Sequence, residues 1–210
     1  MIGPDASELR VLGCLIEKQR TTPDAYPLSL NALRLATNQS TGRDPVVDYD
    51  EHTIRDAIAR LVRRGWARLA SGPGSRATKY RHLLDEALSL SVPELALLAL
   101  LMLRGAQTPG ELRQRSDRLY AFATVEELEA LLGRLVERRM VVHRERRPGQ
   151  KEARWGLGEL FGEADAPAER PSSPDDPGEP ADDLLERIGA IERDLDELRS
   201  VVAQLRSQLA

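Results

Sequence analysis

Asp50 to Leu83 reads DEHTIRDAIARLVRRGWARLASGPGSRATKYRHL, and this stretch decides the fold. Ile54, Ile58, Leu61 and Val62 recur at helical spacing and make one apolar face. Asp50 suits the N-cap, and Gly65 suits the left-handed residue that ends a helix. Trp66 to Ala70 then reads as a strand, Gly72-Pro73-Gly74 as a turn and Thr78 to Leu83 as the returning strand. A helix running straight into a two-stranded hairpin is the second half of a winged-helix domain.

The same unit recurs at Thr124 to Leu157, TVEELEALLGRLVERRMVVHRERRPGQKEARWGL. Arg60-Leu61-Val62 returns as Arg134-Leu135-Val136. Ile54 and Ile58 align with Leu128 and Leu132, Trp66 with Met140, Pro73-Gly74 with Pro148-Gly149, and Tyr80 with Trp155. Thr124 with Glu127 has the spacing of a capping box. Core, turn and strand positions match together, which points to an internal duplication.

Upstream, Asp5-Ala6-Ser7-Glu8 opens a first helix from Ser7 to about Lys18, with Leu9, Leu12, Leu15 and Ile16 facing inward. Cys14 lies in that helix and reads as a small buried hydrophobe; as the single cysteine it allows no internal disulfide. Thr21-Thr22-Pro23 breaks the chain, and Ser29 can cap a second helix. Leu30, Leu33 and Ala36 would face inward, with Asn31, Arg34, Thr37 and Asn38 nearer the other face. Asn38 to Val47 (NQSTGRDPVV) is a polar insertion that the second half lacks, and such loops often carry function.

The run LGCLIEKQRTTPDAYPLSLNAL, then TNQSTGRDPV, then LRGAQTPGELR resembles the YceH-like family of bacterial proteins of unknown function. The resemblance covers about Ser7 to Leu160 and implies tandem winged-helix domains and a dimer, without an activity. The sequence departs from the family pattern at Thr37 and Ser40, where Cys and Lys are expected, so thiol chemistry in that loop is not carried over.

In the second half, Ser91-Val92-Pro93-Glu94 starts a helix whose continuation, LALLALLMLR, is apolar all round. It is too short to span a membrane and must be covered on every side, by the first domain, its own domain or a second subunit. Gly105 ends it, Thr108-Pro109-Gly110-Glu111 starts the next helix, and Tyr120 and Phe122 are expected in the second core. The expected architecture is α+β, mainly α. It has a first winged-helix domain at 1–85, a second at 86–160, an acidic Pro-rich disordered linker at 161–183 and a coiled-coil helix at 184–210.

The last segment carries Leu184, Ile188, Ile191, Leu195, Leu198, Val202, Leu205 and Leu209 at alternating four- and three-residue spacing. Arg187 and Asp194 fall at g positions and face Glu192 and Arg199 of an in-register parallel partner. This pattern predicts a two-stranded coiled coil, and hence a homodimer; the other reading is a single amphipathic helix docked on the same chain.

The formal net charge of −4 conceals an uneven distribution. Glu163 to Asp183 holds −7 and Leu184 to Ala210 holds −1, which leaves Met1 to Gly162 at +4. A mildly basic body permits contact with nucleic acid. No apolar run would span a bilayer and the N-terminus lacks a signal-peptide pattern, so a soluble cytoplasmic protein is expected, with no membrane partner. His52, His82 and His143 have no Cys or His at ligand spacing, and there is no phosphate loop or nucleophile elbow. Asp48, Asp50 and Glu51 cluster where acids suit a helix start. Neither a metal, a cofactor nor an enzyme activity is expected.

Double-stranded DNA is the expected partner, and transcription regulation the expected role. In winged-helix proteins the third helix enters the major groove and the wing touches the backbone. The candidate contacts are His52, Arg55, Arg60, Arg63 and Arg64 on the helix, Arg76 and Lys79 at the wing, and Asn31, Asn38 and Arg43 beside them. The second wing offers Arg144, Arg146, Arg147 and Lys151, but Glu126, Glu127 and Glu129 crowd the start of its third helix. The alternative is a protein-interaction adaptor that uses the same domains without binding DNA.

Overall fold

The computed structural model describes residues 3–70, 78–144 and 153–162. The fold is α+β, mainly helical, with small antiparallel sheets. The first half runs α1 (Ala6–Thr21), β1 (Leu28–Ser29), α2 (Leu30–Thr37), α3 (Glu51–Arg63), β2 (Ala67–Leu69) and β3 (Lys79–His82). A short α4 (Leu84–Leu88) leads into the second half. That half runs α5 (Val92–Arg104), α6 (Pro109–Ser116), α7 (Val125–Glu137), β4 (Val141–Arg144) and β5 (Arg154–Leu157).

Local chemistry fixes the helix ends. Asp5 Oδ1 accepts from the Glu8 N–H and the Glu8 carboxylate accepts from the Asp5 N–H, so α1 starts one residue before the expected Ser7. Ser29, Asp50 and Thr108 each accept from an N–H three residues on. The expected box at Thr124 is half made. Thr124 Oγ1 accepts from Glu127 N, but the Glu127 carboxylate reaches Ala123 N instead of the cap itself.

The duplication extends to backbone register. In the first sheet β3 lies between β1 and β2, pairing Ala67 with His82, Leu69 with Tyr80, and Leu28 with Tyr80. In the second, Val141 pairs with Leu157 and His143 with Trp155, and Gln107 bridges to Trp155 where β1 would be. Tyr80 and Trp155, aligned from sequence alone, therefore hold the same station. Trp66 N donates to Leu61 O and Met140 N to Leu135 O, each 74 residues apart in sequence, where the helix turns into its strand. Gly65 takes the left-handed conformation there, at φ 76°. Its counterpart Arg139 is forced into it at φ 55°, an uncommon state for a residue with a Cβ.

Both halves share one hydrophobic core. Leu95 to Leu103 of α5 are all buried within the single chain, chiefly against α1. The first half is thus the main cover of this helix, and its apolar face is not open to a second subunit; only Val92, at its start, is 44% exposed. Gly13 marks the crossing, because a Cβ there would lie 2.9 Å from Leu103 Cγ. The halves also meet where Phe161, fully buried, packs on Trp66 with ring centroids 5.6 Å apart. Cys14 is buried, with its thiol against the Ala36 carbonyl, and burial pushes its pKa up. Phe122 is buried and meets the half-buried Tyr120 edge-on at 4.8 Å. No helix among the described residues is long and apolar enough to cross a membrane.

Candidate nucleic-acid interface

The α3 helix buries Ile54, Ala57, Ile58 and Leu61 against α1 and α2 and turns its remaining positions outward. His52, Arg55, Ala59 and Arg63 share one exposed stripe at three- and four-residue spacing. Asn31, on the first turn of α2, is exposed as well. Lys79 sits half-buried at the start of β3, paired in register with Ser29.

Four of the cations and polar groups named from sequence, Arg60, Arg64, Arg43 and Asn38, are bonded within the protein. Arg60 Nη2 donates to Asp5 Oδ2 at 2.7 Å and to Ser7 Oγ at 3.1 Å, and its Nε lies 3.3 Å from Glu8 Oε2. Arg64 Nε donates to Glu8 at 2.9 Å, Nη2 donates to the Gly3 carbonyl, and the guanidinium lies over the Trp66 ring. These two arginines fasten the end of α3 to the start of α1. Burial pushes the Asp5 carboxyl up, but hydrogen bonds from Ser7 and Glu8 and the Arg60 charge outweigh it and hold the group below its usual range.

Arg43 is a correction to its role as a surface contact. It is 6% exposed and donates to both Glu17 carboxylate oxygens, to Ala36 O and to Gln39 Oε1. Its pKa rises despite burial because Glu17 accepts from it. The 38–47 loop is therefore folded back on the body. Asn38 donates to Tyr49 O and accepts from Tyr49 N, Arg10 holds the Pro45 carbonyl, and Asp44 N donates to Leu103 O. Thr37, expected near the outer face, is fully buried with its hydroxyl on Leu33 O. Arg144 is half-buried and lies across Gly156. Arg76, Arg146, Arg147 and Lys151 lie outside the described residues, as do 163–183 of the linker and all eight heptad positions, whereas Phe161, expected to begin the linker, is buried in the body.

The exposed stripe is electrically mixed. Arg55 pairs with Glu51, and His52 lies 3.6 Å from Asp56. Arg63 meets no carboxylate among the described residues. The exposed Arg68 on β2 was not singled out from sequence. Strand alternation was the available signal, since Ala67 is buried and its neighbour must face the other side.

Residues 5–150 match the family described as "Protein of unknown function, DUF480". The chain belongs to the DUF480 family. It is 43% identical to a UPF0502 protein of Citrobacter koseri over 97% of this chain and 96% of that one. A UPF0502 protein of Geotalea uraniireducens is 47% identical over 81% of this chain and 78% of its own. UPF0502 protein YceH of Salmonella arizonae is 40% identical over 97% and 96%. The DUF480 match spans the first repeat and the second as far as residue 150, short of β5.

Proposed function

We propose that this DUF480 protein is a tandem winged-helix protein that binds duplex DNA, dimerises through its C-terminal heptads and regulates transcription in the cytoplasm. It is a binding protein, not an enzyme. The observation that carries the reading is the order helix, strand, helix, helix, strand, strand, with the third strand central in its sheet. That order leaves α3 with an exposed stripe leading directly into a strand pair. In such proteins the third helix reads the groove and the strands touch the backbone.

The contact set is narrower than the sequence suggested. Arg55 and Arg63 on α3, Arg68 on β2, Lys79 on β3 and the polar Asn31 are the groups we assign to DNA. His52 adds a donor, while Arg60 and Arg64 position the helix. Three or four phosphate contacts of this kind give modest, salt-sensitive affinity.

The adaptor reading draws on the pairing of Arg55 with Glu51 and His52 with Asp56, which cancels charge on the face that would approach phosphates. Fluorescence anisotropy with random-sequence duplex across a salt series separates the two. Micromolar binding that weakens steeply with salt supports DNA; no binding at low salt supports the adaptor.

A further inference from the structure

A cavity of about 280 Å³ opens where α1, α4 and α5 meet, so the first half, the connector and the second half all line it. It is far larger than the roughly 10–15 Å³ that one water needs, and it approaches the ~300 Å³ lower end of small-ligand sites. One wall is aliphatic, formed by Ile16, Leu90, Leu95 and Ala96. Gln19, Arg20 and Asp85 are its polar members.

The polar members carry opposite charges that are not spent on each other. Arg20 and Asp85 form no ion pair, and among the described residues the Arg20 guanidinium makes only a 3.4 Å contact from Nε to the Leu119 carbonyl. Asp85 has a side chain 39% exposed, with one oxygen 3.4 Å from His82 Nδ1. The Gln19 carbonyl oxygen is taken by His82 Nε2 at 2.6 Å, which fixes the side chain and leaves its amide N–H groups without an acceptor among the described residues. A small cavity with an aliphatic wall, a cation and a separate anion matches a zwitterion with an apolar side chain.

We propose that this cavity binds an aliphatic α-amino acid. The carboxylate is taken by Arg20 and the Gln19 amide, the ammonium by Asp85, and the side chain by the wall of Ile16, Leu90, Leu95 and Ala96. A monocarboxylate leaves Asp85 unused, and an alkylamine leaves Arg20 unused, so neither matches the full set. Because the ligand would touch both halves, its binding tightens the seam between α1 and α5. The inference does not depend on the DNA reading.

The test uses the full-length protein, with L-leucine as the probe in calorimetric titration and thermal melting. 4-Methylpentanoate and 3-methylbutylamine serve as single-charge controls. Saturable leucine binding that raises Tm is expected, with each control at least about tenfold weaker, since one charge-assisted contact is worth a factor of that size. Arg20→Gln and Asp85→Asn should each weaken leucine by a similar factor while circular dichroism stays unchanged. Arg20 is exposed, so the first variant remains informative even if the second perturbs His82. The proposal is overturned by the absence of saturable leucine binding at millimolar concentration. It is equally overturned by 4-methylpentanoate binding as tightly as leucine, or by undiminished binding in Arg20→Gln.

Discussion

Glu8 Oε1 accepts a hydrogen bond from Arg64 Nε at 2.9 Å, and the second half repeats the arrangement with Glu94 and Arg138 at 3.2 Å. In both halves the carboxylate also caps its own helix, so one side chain starts the first helix of the unit and anchors the end of the third. Burial pushes the Glu94 carboxyl up, and hydrogen bonds from Ser91 with the charges of Arg138 and Arg134 pull it below its usual range. Arg60 and Arg134, which sequence alignment also equates, stand beside the same carboxylates.

Glu8→Gln should therefore destabilise the fold by about 2 kcal/mol, because two arginines lose a nearly buried partner while remaining partly solvated. Urea denaturation checks this through a lower midpoint at an unchanged slope. A shift within about 0.5 kcal/mol would assign the pair no structural role.

Gly13→Val tests the seam. The added carbons meet Leu103 Cγ and Met102 Cβ at about van der Waals overlap, and all the elements around them are buried. Overpacking of this kind costs roughly 1–3 kcal/mol. Thermal melts should show a single, lower transition; a wild-type Tm would mean that α1 and α5 can separate freely.

The His82 ring is buried between Gln19 and Asp85. Burial holds its pKa below the ordinary 6.5; Asp85 pulls it back up, Arg81 adds to the depression and Glu86 opposes it. Below pH 6.5 the unfolded chain takes up a proton that the folded chain still refuses. The stability contributed by neutral His82 is thus complete above 6.5 and is lost as pH falls from there to the folded pKa. His82→Gln should flatten Tm against pH across that window, and an unchanged acid limb would contradict the assignment.

Much of the fold is legible in the amino-acid sequence alone. The duplicated core positions, the Asp50 cap and the Gly65 turn report local geometry, and a single chain carries that information at fixed spacing. The fates of Arg43, Arg60, Arg64 and Thr37 are not legible there. Helical spacing says which residues share a face, but not which neighbour covers that face. Arg43 goes inside because Glu17 supplies a carboxylate from 26 residues upstream, and Arg60 and Arg64 are claimed by a cap 50 or more residues away. Those pairings exist only once α1, α3 and the 38–47 loop are packed together. The cavity at α1, α4 and α5 leaves no sequence signal for the same reason.

The cover of α5 within the chain bears on assembly. With Leu95 to Leu103 buried, the heptads at 184–210 are the remaining dimer element read from sequence. Light scattering should report a dimer for the full chain and a monomer for a chain ending at Gly162. A dimeric truncation would move the interface into the described body.

The central claim is that exposed cations on α3 and β2 contact DNA while Arg60 and Arg64 hold the helix in place. Anisotropy of wild type against Arg63→Glu/Arg68→Glu, across a salt series, tests it most directly. We predict at least about tenfold weaker binding at low salt and a salt slope smaller by about two charges, with circular dichroism unchanged. Wild-type affinity and slope in the double variant would contradict the account.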